Sequence, residues 1–137
     1  MARKKIRLGI VVSKFNSEIT MPMLREAIAH AKREGAEVKA IVEVPGAYET
    51  PLAVQKLLLR ADIDAAVALG TVIKGETKHD EAITYAVCKY LLKLQLKHGK
   101  PVGLGITGPG ITWKQSKARM KEYADRAVEA AVWMCKL

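Results

Sequence analysis

The chain has 137 residues, 50% hydrophobic and 27% charged, with a formal net charge of +9. That is enough for one domain to bury a core without disulfides or metals, and no apolar run approaches the roughly 18–20 residues of a membrane span. The positive residues are scattered over residues 3–7, 32–33, 93–100 and 114–121, among two Trp, four Tyr and one Phe, with no base-stacking motif. The basic balance therefore favours an anionic small substrate over a nucleic-acid or membrane partner.

The opening Met1-Ala2-Arg3-Lys4-Lys5-Ile6-Arg7 is basic, but the strand-like run after it ends at Lys14 without a signal-type cleavage pattern. Residues 6–12 read as a first strand. Thr20, with Pro22 just inside, opens a helix whose apolar positions Leu24, Ala27, Ile28 and Ala31 run to a Gly35 cap. Residues 38–44 form a second strand, and Thr50-Pro51 opens a short helix through Leu57 and Leu58. The run Asp64-Ala65-Ala66-Val67-Ala68-Leu69 reads as a buried parallel strand. After a loop, Ile83, Ala86, Val87, Tyr90, Leu91 and Leu94 share one face of a helix that ends at His98-Gly99. Residues 102–107 make a fourth strand, Gly108-Pro109-Gly110 turns, and Thr112 opens the last helix. Cys88 and Cys135 lack ligand spacing and read as small buried apolar residues of a reducing, cytoplasmic protein.

No repeat or linker divides residues 1–137, which are expected to form a single domain. Four strand-helix units joined by right-handed crossovers imply an α/β fold: a three-layer αβα sandwich around a four-stranded parallel sheet of order 2-1-3-4, flavodoxin-like. The reversal between strands 1 and 3 makes a crevice from Ser13-Lys14-Phe15-Asn16 and residues 70–79. A phosphoacceptor receiver would need an acidic cluster after strand 1, and a flavodoxin a Ser/Thr/Gly-rich phosphate loop there. Neither is present.

The segment Gly70-Thr71-Val72-Ile73-Lys74-Gly75-Glu76-Thr77-Lys78-His79 joins a strand's carboxyl end to a helix's amino end, where free N–H groups and the helix dipole favour phosphate. Gly75 permits close backbone approach, Thr77 offers a hydroxyl and His79 a proton exchangeable near neutral pH. The same residues also suit a plain helix start, with Thr77 as cap and Asp80 and Glu81 as first-turn acids.

Taken together with Phe15-Asn16, Val44-Pro45-Gly46-Ala47-Tyr48-Glu49-Thr50-Pro51, and Thr112 with Gln115 and Arg119, this segment resembles the lumazine synthase family along essentially the whole chain. The resemblance implies an enzyme of riboflavin biosynthesis. It condenses 5-amino-6-(D-ribitylamino)uracil with 3,4-dihydroxy-2-butanone 4-phosphate through an imine, releasing phosphate and water, with no metal, nicotinamide or flavin cofactor. It assigns Phe15 to stacking on the pyrimidine and Asn16 to supporting that loop. Ala47, Tyr48 and Glu49 fall to the ribityl chain, and the main chain of Thr71, Val72 and Ile73 to the pyrimidine edge. Gly75, Glu76 and Thr77 fall to the phosphate, and His79 to proton transfer. Arg119, reaching across from a neighbouring subunit, grips the phosphate. The assembly implied is a homopentamer with sites at subunit boundaries, joined in some members into a hollow icosahedral shell of sixty subunits.

The sequence departs from the family pattern in strand 4, where Gly103-Leu104-Gly105 replaces an aromatic and leaves Leu104 only apolar contact with a substrate. The Gly- and Lys-rich stretch after Arg119 is also replaced, by Met120-Lys121-Glu122-Tyr123-Ala124-Asp125-Arg126, with Arg126 a loose candidate for the second basic contact, and the extra N-terminal strand that many members lend to a neighbour is expected to be absent. His30 and His98 match no role and are expected at the surface. The competing readings are a riboflavin synthase built on the same scaffold and a basic nucleic-acid-binding module.

Overall fold

The computed structural model describes residues 4–137, so the basic opening at residues 1–3 lies outside the described residues. Strands β1 (Arg7–Ser13), β2 (Glu37–Val44), β3 (Ala65–Ile73) and β4 (Val102–Ile111) form one parallel sheet of order β2-β1-β3-β4. Helices α1 (Ser17–Arg33), α2 (Thr50–Leu58), α3 (His79–His98) and α4 (Trp113–Cys135) connect or follow them, with a 3₁₀ turn at Ala47–Glu49. This is the expected three-layer architecture.

The layers follow from the two-residue period of the strands. Leu8, Ile10 and Val12 of β1 and Ala65, Val67 and Leu69 of β3 point to one side, against α1 and α4. Val11, Ala66 and Ala68 point to the other, with Val54 and Leu57 of α2, Val87 and Leu91 of α3, and Val102 and Ile106 of β4. Because both faces are covered, the two central strands read as unbroken apolar runs, and each fully buried Leu or Ile contributes about 2 kcal/mol through removal from water.

Several boundaries differ from the sequence reading, each for a physical reason. Helix α1 begins at Ser17, three residues before Thr20, because Asn16 turns the chain in the left-handed conformation (φ 61°, ψ 49°), which Asn tolerates better than most residues. Pro22 therefore lies inside the helix, where it has no N–H for the carbonyl four residues back. Strand β3 runs on to Ile73, so Gly70 is strand: a Cβ there would stand 2.7 Å from the Ser13 hydroxyl. Gly108-Pro109-Gly110 is likewise part of β4, where pairing shifts register after Thr71↔Thr107 and resumes at Ile73↔Ile111. The shift requires glycine, with Gly108 at φ 116° and Gly110 at φ 73°.

Neither histidine without an assigned role is a plain surface residue. The imidazole of His30, 14% exposed, lies between α1 and α4 with Asp125, Glu34 and Glu129 oxygens 3.4, 3.4 and 3.0 Å from its nitrogens, and His98 is half-buried. The two cysteines are also half-buried rather than enclosed, and burial raises both thiols above their ordinary pKa.

Candidate active site

The crevice forms because the central strands end at different heights. Pairing of β1 with β3 runs from Leu8↔Ala65 to Val12↔Leu69, while β3 continues to Ile73. Residues 71–73 thus project past β1, and their main-chain groups on that side meet no strand. On the opposite wall, Lys14 N–H donates to the Val44 carbonyl at 2.8 Å and Phe15 N–H to the Pro45 carbonyl at 2.9 Å, which ties the end of β1 to the end of β2. The left-handed turn at Asn16 then carries the chain away into α1. Phe15 is left 64% exposed, with its ring lying over Gly46.

After Gly46, the 3₁₀ turn is closed by its own side chains. Gly46 N–H donates to Glu49 Oε1 at 3.0 Å, and the buried Thr50 hydroxyl donates to the Ala47 carbonyl at 2.7 Å. Glu49 is therefore both a local cap and part of the crevice wall. Ala47 is buried beneath the turn and Tyr48 is exposed.

These elements enclose a cavity of about 480 Å³ lined by Phe15, Asn16, Gly46, Ala47, Tyr48, Glu49, Thr71, Val72, Ile73, His79 and Ile83. Nine of the residues singled out from the sequence are thereby brought together. The Thr71 hydroxyl is not offered to the cavity, since it belongs to a buried ring with Thr107 and Ser116 (2.6, 2.8 and 2.9 Å), so this residue contributes main chain. His79 is the first residue of α3 and is exposed, its N–H donating to the Thr77 hydroxyl at 3.3 Å. The cap position itself is Lys78. Gly75, Glu76 and Thr77 lie in the exposed loop just before His79 and are not part of the cavity wall.

Leu104 and Arg119 are not brought to this crevice within one chain. Leu104 is 46% exposed on β4, and Arg119 is exposed on α4. Gln115 is engaged at the start of α4 in a reciprocal cap: Thr112 N–H donates to its Oε1 at 3.0 Å and its own N–H donates to the Thr112 hydroxyl at 3.1 Å. The loose candidate Arg126 is paired with Glu122 at 2.6 Å one helical turn away.

Sequence reasoning passed over Gly46, Ile83 and Asp80. Gly46 is needed because a Cβ there would stand 2.7 Å from Phe15 Cδ2, and the Val-Pro-Gly run before the turn was its signal. Ile83 lines the cavity one turn into α3, at a position read only as part of an apolar face. Asp80 has the sequence position of a first-turn acid, yet it is 6% exposed and its Oδ2 accepts from Gly110 N–H at 2.8 Å. That long-range contact left no local signal.

An open parallel sheet with a small-molecule-sized cavity at its switch point, walled by free main chain and a single imidazole, defines a doubly wound α/β enzyme. Residues 5–137 match the family described as 6,7-dimethyl-8-ribityllumazine synthase, and the chain belongs to that family. Among similar proteins, the 6,7-dimethyl-8-ribityllumazine synthase of Metallosphaera sedula is 54% identical over 136 residues, covering 99% of this chain and 90% of that protein. The enzymes so named from Saccharolobus islandicus and Staphylothermus marinus are 52% and 53% identical, over 96% and 93% of this chain and 86% and 85% of their own lengths. No helix among the described residues is long and apolar enough to cross a membrane.

Proposed function

We propose that this chain is a 6,7-dimethyl-8-ribityllumazine synthase that condenses 5-amino-6-(D-ribitylamino)uracil with 3,4-dihydroxy-2-butanone 4-phosphate. The observation that carries the reading is the placement of His79 on the same cavity as Phe15, the turn at Ala47–Glu49 and residues 71–73, whose main chain runs past the paired part of β1. A flat pyrimidine fits between the Phe15 ring and the β3 edge, whose amide and carbonyl groups match its polar rim. Its ribityl hydroxyls extend toward Glu49 and the neighbouring turn. The second substrate places its phosphate on the exposed loop at Gly75, Glu76 and Thr77, where the start of α3 favours negative charge.

Attack of the 5-amino group on the ketone requires a proton on the departing oxygen, and loss of phosphate requires a proton taken from carbon. His79 beside the loop serves both needs as acid and base. Holding two substrates in reacting geometry supplies the remainder. Arg119 stands apart from the crevice of its own chain, so the reading assigns its guanidinium to the phosphate of a neighbouring copy, as a planar, permanently charged donor suited to bidentate contact. The exposed Tyr48, Leu52, Tyr85 and Tyr90 support such an apolar subunit boundary. The assembly proposed is a homopentamer, which sedimentation distinguishes from a shell of sixty subunits, in a cytoplasmic enzyme.

The test is direct: the purified protein is mixed with both substrates and lumazine absorbance is followed. Lumazine formation with stoichiometric phosphate release is expected. No product at saturating substrate rejects the reading, and consumption of added lumazine with flavin formation favours the riboflavin synthase alternative.

A further inference from the structure

The loop that carries the phosphate turn is fastened at its two ends to two adjacent residues of β4. At its start, Lys74 N–H donates to the Ile111 carbonyl at 2.8 Å, and at its end, Asp80 Oδ2 accepts from Gly110 N–H at 2.8 Å. Between these ties residues 75–79 are exposed, whereas Asp80 is buried. Directly beyond Ile111 comes Thr112, the cap of α4, locked to Gln115. Gly110 is therefore a junction, with the end of the phosphate loop on one side and the start of the Arg119 helix on the other.

The Asp80 carboxylate occupies the second position of α3, where an acid ordinarily serves its own helix through the unpaired N–H groups of the first turn. Here its partner is in strand β4, thirty residues away in the chain. The hydrogen bond is charge-assisted and partly buried, the kind that holds two segments at fixed spacing. Gly110 can present its N–H in this direction because it takes φ 73°.

We propose that Asp80 is a positioning residue. Its carboxylate fixes the loop of Gly75, Glu76, Thr77 and His79 against the β4–α4 junction, so that the phosphate turn is preformed before substrate arrives. The proposal rests on the phosphate assignment made above. Without the tie the far end of the loop is held only through the packing of α3 further along the helix, and substrate phosphate must order the turn on binding. The pyrimidine side is held independently by the β1–β2 hydrogen bonds and by β3.

The test uses the full chain as wild type, Asp80→Ala and Asp80→Asn. Amide hydrogen exchange is followed at Gly110 and residues 75–79, and steady-state kinetics are measured with each substrate varied in turn. Asp80→Ala is expected to accelerate exchange at these amides roughly tenfold or more and to raise KM for the butanone phosphate about tenfold, the scale of losing one charge-assisted hydrogen bond. KM for the pyrimidine is expected to stay within about twofold by the same reasoning. Asp80→Asn, which keeps an acceptor oxygen, is expected to restore both readouts. Unchanged exchange at Gly110, or an equal rise in both KM values, overturns the proposal. So does a wild-type Gly110 amide that exchanges as fast as an open chain, a result needing no variant. If the wild type makes no lumazine, the functional reading fails while the exchange measurement still judges the tie.

Discussion

Replacing Gly46 by alanine tests the stacking role of Phe15 without touching Phe15. The backbone at Gly46 is extended (φ −145°, ψ −178°) and accepts alanine without strain. The added methyl would stand 2.7 and 2.9 Å from Phe15 Cδ2 and Cε2, while its next contact, Glu49 Oε1 at 3.5 Å, is ordinary. Carbon atoms settle at about 3.5–4.0 Å, so the ring edge must retreat by roughly 1 Å. With 64% of Phe15 exposed, that retreat is into solvent and leaves the core intact. A well-placed aromatic contact is worth about 0.5–1.5 kcal/mol beyond area, so affinity for the ribitylaminopyrimidine should fall about 2- to 10-fold. Binding of the pyrimidine alone, measured by calorimetry, gives the number directly, with thermal unfolding as the control. Unchanged pyrimidine affinity, or a fall shared equally by the butanone phosphate, would refute the stacking geometry.

Three further outcomes are expected. His79→Ala should slow condensation by about 10²-fold, as for loss of an acid-base group, with Tm unchanged because the side chain is exposed; turnover within twofold of wild type across pH removes it from proton transfer. Arg119→Ala should weaken the butanone phosphate by about 1.5–3 kcal/mol and hardly affect the pyrimidine, and mixing its chains with His79→Ala chains should regenerate active sites; no recovery in verified hybrids speaks against a site divided between subunits. The carboxylates of Asp64 and Asp62 are held below the usual range by hydrogen bonds from Arg7 and Arg60, Asp62 at about 2. Their contribution is therefore complete above the unfolded value of about 4 and lost as pH falls through the folded values. Tm should drop between about pH 4 and 2 with a shallower slope in Asp64→Asn, and identical slopes would exclude the Arg7 pair.

Sheet order and layers were legible because β1 and β3 are apolar on both faces and each helix carries a stripe. The crevice was legible for a related reason: strand ends and helix starts in such a sheet must meet at the reversal of strand order. What escaped was long-range. The start of α1 depends on Asn16 adopting a left-handed turn, whereas Thr20 and Pro22 are stronger local signals. Gly70 looks like the opening of a loop, but it is glycine so that β1 and β3 can approach at Ser13. Asp80 is indistinguishable from any first-turn acid until β4 is in place beside it. The position of Arg119 is likewise uninformative in one chain, since the partner proposed for its guanidinium is a neighbouring copy.

The buried hydroxyl ring of Thr71, Thr107 and Ser116 bears on how this protein can change over generations. Each oxygen can donate once and accept once around the ring, so three polar groups are satisfied without water. Losing any one hydroxyl breaks two of the three links and leaves one remaining O–H without an acceptor in a dry environment, at about 1–3 kcal/mol. Replacing all three with apolar residues of similar shape removes that penalty altogether. The intermediates are thus worse than either end state, and the three positions, 36 and 9 residues apart in sequence, are constrained to vary as a set.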